Sequence, residues 1–301
     1  MAFNPDRLRG IIPPILTPMT DDEKIDLESL RSLIEYMLAG GVHGIWVTGT
    51  TGEFPCIDEM ERAAVVRETV KVVNGRVPVV AGVGDCSLKL AVRHACHARD
   101  AGVDAIALTP PHYYPNNQDE LLVHFRTMRE RVDMPLMIYN IPQTVKTKVD
   151  VKTASTLAAE GTCVGVKDSQ NDLDWFRTVM TNARRAGKNF RGFLGTRVLI
   201  DAGLTVGGHG AIPSIANLAP AVAVAIYDAA AKGDWATAAK HTEHLGDISS
   251  RLGGIPTLKA ALKIQGVIRS SRVALPTRTI PAADEAKVKQ AIEEVGLTPR
   301  L

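Results

Sequence analysis

The chain alternates short apolar runs with longer amphipathic stretches, and this rhythm limits the folds open to it more than any single residue does. Candidate strands cover residues 10–16, 44–48, 78–83, 105–109, 135–140, 163–167, 190–194 and 210–213. Most are runs of small and β-branched residues without polar alternation, the pattern of strands covered on both faces. Between most of them lie segments of helical periodicity: 27–39, 58–73, 88–101, 118–131, 151–159 and 173–186, with a short seventh helix around 198–203. Asp26 and Asp58 stand where N-caps belong, and Glu61, three residues after Asp58, fits a capping box. Gly40-Gly41 and Gly102 supply helix stops. Eight strands, mostly separated by one helix each, match a (β/α)8 TIM barrel. A doubly wound open sheet is the competing arrangement. Against it, no glycine-rich dinucleotide fingerprint follows the first strand, and Gly207-Gly208-His209-Gly210 has the wrong spacing and order for one. After residue 215 the strands stop, and helical segments follow at 219–231, 235–252, 257–268 and 283–295. The expected organisation is therefore a barrel over residues 1–215 and a C-terminal helical extension over 216–301, packed on the barrel with no low-complexity linker.

Composition excludes several classes of partner. A net charge of +2 with scattered basic residues gives no reason to expect nucleic acid or an acidic membrane surface. No run approaches the length of a membrane span, and residues 1–10 lack the apolar core of a secretory signal. Cys56, Cys86, Cys96 and Cys163 show no paired spacing for zinc or redox work, so they read as reduced thiols of a cytoplasmic protein.

In a barrel of this kind chemistry sits at the C-terminal ends of the strands. The sixth candidate strand ends in Lys167, followed by Asp168-Ser169. A lysine at the mouth of a buried strand loses hydration, which disfavours its ammonium form and favours a nucleophilic amine able to form Schiff bases with carbonyl compounds. Taken alone, such a lysine is more often a side chain that snorkels into solvent. The second strand leads into Gly49-Thr50-Thr51-Gly52-Glu53, either a simple turn or a loop whose N–H groups and hydroxyls face a small anion such as a carboxylate. The fifth ends in Tyr139-Asn140-Ile141-Pro142, where the phenol is either a packed aromatic or a proton relay. The fourth runs into the proline-stiffened, aromatic loop 109–115. An anion-binding loop, a phenol and a desolvated lysine are together what a 2-oxo-acid Schiff-base enzyme requires.

These segments, with the opening 10–18, the Gly165-Val166-Lys167-Asp168-Ser169 run, Gly207-Gly208-His209-Gly210 and Ile255-Pro256-Thr257-Leu258-Lys259, resemble the dihydrodipicolinate synthase/N-acetylneuraminate lyase family of pyruvate-dependent class I aldolases over nearly the whole chain. The resemblance implies that Lys167 forms an imine with pyruvate or another 2-oxo acid, that Thr50 and Thr51 with Gly52 hold its carboxylate, and that Tyr139 shuttles protons while a C–C bond is made or broken. It implies that the backbone at Ile212 faces the substrate, that no metal or organic cofactor takes part, and that the protein forms a homotetramer. In such a tetramer Tyr113 or Tyr114 reaches a neighbouring site.

Three positions depart from the family's better-known members. The arginine that binds the aspartate semialdehyde carboxylate in dihydrodipicolinate synthases is replaced by Thr144, a loss that is not conservative. The acidic pair with which sialic-acid lyases hold sugar hydroxyls is replaced by Gly195-Thr196-Arg197. Arg197 favours a second anionic group if it points into the mouth, and is otherwise an exposed residue opening the seventh helix. Ser169 stands where sialic-acid lyases place a threonine against a substrate hydroxyl. The pattern is closest to 2-keto-3-deoxy sugar acid aldolases and dehydratases. It leads to the expectation of a retro-aldol lyase with pyruvate and an aldehyde as products. The alternatives are a dehydratase, a 4-hydroxy-2-oxoglutarate aldolase, a 4-hydroxy-tetrahydrodipicolinate synthase and a non-catalytic 2-oxo acid sensor.

Overall fold

The computed structural model describes residues 4–297; residues 1–3 and 298–301, at the ends of the expected barrel and extension, lie outside the described residues. Eight strands form one parallel sheet: β1 (Gly10–Ile11), β2 (Ile45–Val47), β3 (Val79–Gly82), β4 (Ala105–Leu108), β5 (Leu136–Asn140), β6 (Gly165–Asp168), β7 (Arg191–Leu194) and β8 (Gly210–Ala211). Their hydrogen-bonded order is β1-β8-β7-β6-β5-β4-β3-β2. The sheet curls until its two ends meet just beyond β1. There Pro14 and Trp46 form a parallel bridge, Trp46 N–H donates to Pro13 C=O at 2.9 Å, and Ile15 N–H donates to Trp46 C=O at 2.8 Å. The result is a TIM-barrel-like sheet with helices outside it and further helices at the C-terminus.

The helices on the sheet are α1 (Leu27–Ala39), α2 (Glu59–Val73), α3 (Leu88–Ala101), α4 (Gln118–Arg131), α5 (Pro142–Val145), α6 (Val151–Glu160), α7 (Leu173–Arg185) and α8 (Ile200–Thr205). The expected caps are in place. Asp58 and Glu61 exchange both capping-box bonds, and the Asp26 carboxylate accepts from the Glu28 and Ser29 N–H groups. α3 stops at Gly102, whose φ of +86° is open to glycine at little cost. The differences from expectation are at strand ends. β1 and β8 are two residues long rather than running to 16 and 213, since Pro13, Pro14 and Pro213 have no N–H to continue a ladder. The four-residue helix α5, opened by Pro142 at a position that tolerates proline, is too short to leave a periodic signal in the sequence.

Side chains alternate along the strands as pleating requires. Ile12, Trp46, Val80, Ala107, Met137, Tyr139, Phe193 and Ile212 belong to a cluster inside the curled sheet. Their strand neighbours Ile11, Ile45, Val47, Ala81, Ile106, Leu108, Ile138 and Leu194 join the helices in a larger outer core. This double burial is why the strands read as continuous apolar runs rather than alternating ones.

At the C-terminus follow α9 (Pro220–Ala231), α10 (Trp235–Leu252), α11 (Ile255–Ile264) and α12 (Glu285–Glu294). α9 lies against β1 and α8 and packs on α10. Ile226, Leu245, Ile248, Leu258 and Leu262 share the outer core with the helices around the sheet. α11 starts two residues before the expected 257, because Pro256 is accommodated in its first turn, and ends ahead of Gln265-Gly266. No helix among the described residues is long and apolar enough to cross a membrane.

Candidate active site

Lys167 sits on β6 directly opposite Tyr139 of β5 in the parallel register. Both point inward, since each falls on the same pleat phase as the inner cluster. Lys167 is 3% exposed and Tyr139 is equally buried. The Lys167 Nζ lies 4.3 Å from the centroid of the Tyr139 ring and 4.9 Å from that of Trp46. The two rings meet edge to face, 5.5 Å between centroids. The amine is thus held between two aromatic walls on the floor of the mouth, with its aliphatic stem packed, and does not snorkel into solvent. Gly195, just after β7, leaves the space this requires. A Cβ there would come within 2.1 Å of Ser169 Oγ and 3.0 Å of Lys167 Cε.

The phenol has the partner that a proton relay needs: Tyr139 Oη and Thr50 Oγ1 are 3.2 Å apart. Thr50 opens a single 3-10 turn, Thr50–Gly52, which is closed by Gly52 N–H donating to Gly49 C=O. Glu53 follows in the left-handed region at φ 56°. Its carboxylate turns away from the mouth to meet Lys259 of α11, with Nζ 2.5 Å from Oε1, and accepts from the Ala274 N–H at 2.8 Å. Lys259 is fully buried and donates again to Arg272 C=O at 2.7 Å. Burial pulls the Lys259 ammonium below its ordinary pKa, and the Glu53 carboxylate opposes that shift. This pair ties the Thr50–Thr51 loop to the C-terminal helices.

The strand ends surround a cavity of about 240 Å³. Thr50, Thr51, Tyr139, Lys167, Ser169, Gly195, Arg197 and Ile212 all line it, so eight of the residues singled out in the sequence converge on one mouth. Four others do not line it. Gly52 uses its N–H within the turn, and its C=O accepts from Thr17 Oγ1. Thr144 is exposed on α5. Tyr113 and Tyr114, each 74% exposed, pack on one another away from the mouth, with ring centroids 5.0 Å apart. The sequence reading missed Gln143, Asn171 and Ser214, which complete the polar wall. They follow β5, β6 and β8 by a few residues. Their position after a strand was the available signal; their residue types carried none.

Behind Lys167, on the outer side of β6, Asp168 pairs with Asn140 in the same register. Asn140 Nδ2 donates to Asp168 Oδ1 at 2.7 Å, and Asn140 Oδ1 accepts from the Val149 N–H at 3.0 Å. The backbone joins in: Ser169 N–H donates to Asn140 C=O, and Gly195 N–H to Asp168 C=O. The network locks together the ends of β5, β6 and β7 beneath the site. Burial raises the Asp168 carboxyl to about 7, against the lowering effect of the Asn140 bond. Because the folded state then holds this proton more tightly than the unfolded chain, the stability it contributes is complete below about pH 4 and is lost as pH rises through 7. Between pH 6 and 8 the protein is expected to lose roughly 1–2 kcal/mol from this group. Asp168→Asn retains an acceptor for Asn140 without a charge. Urea denaturation at the two pH values should show this loss in the wild type and its absence in the variant.

A second titratable cluster lies after β3 and β4. Asp85, Cys86 and His112 offer ligand atoms within 4.8 Å of one another. The Asp85 carboxylate is already engaged, by His94 Nε2 at 2.9 Å and by the buried Arg62 guanidinium at 3.4 Å. That cation beside the same oxygen repels a metal ion, and the cluster reads as an internal ion-pair network.

A curled parallel sheet with a buried lysine, a phenol and a hydroxyl loop at its C-terminal mouth defines a TIM-barrel-like lyase of the aldolase type. The match to known proteins is direct. The chain matches the model of the dihydrodipicolinate synthetase family over residues 7–295 and belongs to that family. It is 34% identical over 299 residues to 4-hydroxy-tetrahydrodipicolinate synthase of Methanopyrus kandleri, covering 97% of this chain and 98% of the relative. It is 32% identical to an uncharacterised DapA-like lyase of Halobacterium salinarum, covering 98% and 96%. Among solved structures it superposes on YagE, a prophage protein of the family from E. coli K12 crystallised with pyruvate, with a TM-score of 0.91 and 28% identity over 97% of this chain and 99% of that one. The dihydrodipicolinate synthase of Thermotoga maritima gives a TM-score of 0.90 at 28% identity, covering 96% and 99%.

Proposed function

We propose that the protein, as a (β/α)8 barrel enzyme, cleaves a 2-keto-3-deoxy acid through an imine on Lys167, releasing pyruvate and an aldehyde. The observation that carries this reading is the placement of the Lys167 amine, buried between Tyr139 and Trp46 and opening on the same cavity as the Tyr139–Thr50 hydroxyl pair. The Lys167 amine attacks C2 of the oxo acid through its lone pair, and the Tyr139 phenol gives its proton to the departing hydroxyl, so that water leaves and a protonated imine remains. Thr50 and Thr51 hold the C1 carboxylate. The Tyr139 oxygen, having given up its proton in that step and paired with the Thr50 hydroxyl, takes the C4 hydroxyl proton. The C3–C4 electron pair then flows into the imine, giving an enamine and the free aldehyde. Protonation at C3 and hydrolysis return pyruvate and the amine. The pyruvate complex of YagE supports pyruvate as the retained fragment.

The test is reduction with borohydride in the presence of pyruvate, followed by peptide mass spectrometry. The expected result is a reduced pyruvate adduct on the peptide bearing Lys167; an unmodified peptide overturns the reading. Dehydration of the same imine differs only in which bond breaks next. Scoring each 2-keto-3-deoxy acid separately for pyruvate release and for loss of water separates the two.

The names of several relatives favour a second reading, condensation of pyruvate with aspartate semialdehyde. Thr144 is exposed and outside the cavity lining, which leaves no arginine clamp at that position. Condensation is therefore expected to run well below the cleavage rate. Homotetramer formation, inferred from family membership, would give the exposed Tyr113–Tyr114 pair a neighbouring site to enter.

A further inference from the structure

We propose that the substrate carries a second carboxylate at the end remote from its oxo group, and that Arg197 binds it; this rests on the Schiff-base reading above. Among the described residues the cavity has two cationic side chains in its lining, Lys167 and Arg197, and no aspartate or glutamate. Arg197 makes no hydrogen bond or ion pair among the described residues, while Arg62 on α2 and Arg191 at the start of β7 are both committed to carboxylate or carbonyl partners. Its backbone is nevertheless fixed. Gly195 N–H donates to Asp168 C=O at 2.6 Å, and the buried Thr196 accepts from Val198 N–H at 3.3 Å through Oγ1. Arg197 is exposed and borders the cavity from this pinned turn, and a cation at the rim of a mouth without counter-charge creates a positive field that favours a dianionic ligand.

The remaining wall fits the middle of such a molecule. Ser169, Gln143 and Asn171 are neutral donors and acceptors suited to chain hydroxyls. Gln143 is held by its Nε2–H, which donates to Ser169 C=O at 2.9 Å. A planar carboxylate matches the guanidinium fork in two parallel charge-assisted bonds, which a polyhydroxy tail cannot offer. On cleavage, the C3–C4 pair passes to the enamine and the C4 hydroxyl proton to the base, so the second product is an aldehyde that itself bears a carboxylate. The reaction that supplies this substrate is accordingly one that makes 2-oxo-3-deoxy dicarboxylates.

The test uses the full-length enzyme with three 2-oxo-4-hydroxy acids ending in a carboxylate, a hydroxymethyl group or a phosphate monoester. Wild type is expected to prefer the carboxylate by kcat/KM. In Arg197→Ala the kcat/KM for the dicarboxylate should fall about ten- to a hundredfold more than for the hydroxymethyl compound, mostly through KM. Arg197→Lys should recover part of the loss, since it restores the charge without the fork. Equal losses on both substrates, or a wild-type preference for the hydroxymethyl compound, overturn the proposal. A preference for the phosphate replaces the carboxylate by a different anion and overturns it as well. Pyruvate trapping in the wild type separates the two levels. With trapping intact, failure of the substrate series falls on Arg197 alone; without trapping, the Schiff-base reading fails and the proposal with it.

Discussion

Lys167→Ala is expected to lose turnover by a factor on the order of 10⁴ or more and to form no adduct with pyruvate under borohydride. Among the described residues no other group lining the cavity offers an amine: the remaining cation there is Arg197, a guanidinium. The loss should be chemical rather than conformational. The Lys167 side chain makes its contacts with Trp46 and Tyr139, and the lock between strand ends runs behind it through Asp168, Asn140 and Gly195. Lys167→Met fills a similar volume between the two rings, so it should fold with a melting temperature close to wild type and remain inactive. Tyr139→Phe provides the contrast. It keeps the ring beneath the amine but removes the hydroxyl paired with Thr50, so pyruvate should still be trapped while cleavage falls by roughly 10²–10⁴. Cleavage at the wild-type rate in the Tyr139→Phe variant would remove the phenol from the mechanism.

Lys259→Met is expected to destabilise the protein by about 3–5 kcal/mol, because it strands Glu53 as an uncompensated charge in a site with almost no water. The Arg272 carbonyl loses its donor at the same time. Thermal unfolding should move down by roughly 10 °C. The double variant Glu53→Leu, Lys259→Met removes both charges and should recover much of this, since replacing a whole buried pair is far less costly than breaking one. A single variant as stable as wild type would show that the pair contributes only geometry. The same substitution should raise KM for the oxo acid, because Glu53 follows directly on the Thr50–Gly52 turn.

Much of this arrangement is legible along the chain, and the reason is local. Strands covered on both faces must be apolar at every position, so β3, β4 and β5 announce themselves as runs at 78–83, 105–109 and 135–140. Caps are equally local: Asp58 and Glu61 lie three residues apart and satisfy each other wherever the helix ends up. Residues where the ladder depends on a remote neighbour read less well. Pro13, Pro14 and Pro213 sit in apolar runs that look like strand, yet cannot donate, and β1 and β8 stop short of them.

The candidate site divides along the same line. Lys167, Tyr139 and the Thr50-Thr51 loop could be named from the chain because each closes a strand run, and strand ends converge in a barrel. That Lys167 stands opposite Tyr139, and that both turn inward, follows from the register of β5 on β6, which links residues 28 apart and moves every side chain to the other face if it slips by one. Arg197, undecided between the mouth and the outside, is exposed and also lines the cavity, whereas Thr144 and Gly52 do not line it. Glu53 and Lys259 are ordinary charged residues in the sequence and become a buried pair only because Lys259 of α11 meets the residue that follows the loop. The chain alone thus determined which elements form and which side chains end the strands, since those depend on neighbours a few residues away. The tertiary structure decided which of those side chains meet, since that depends on register and packing between segments far apart in the chain.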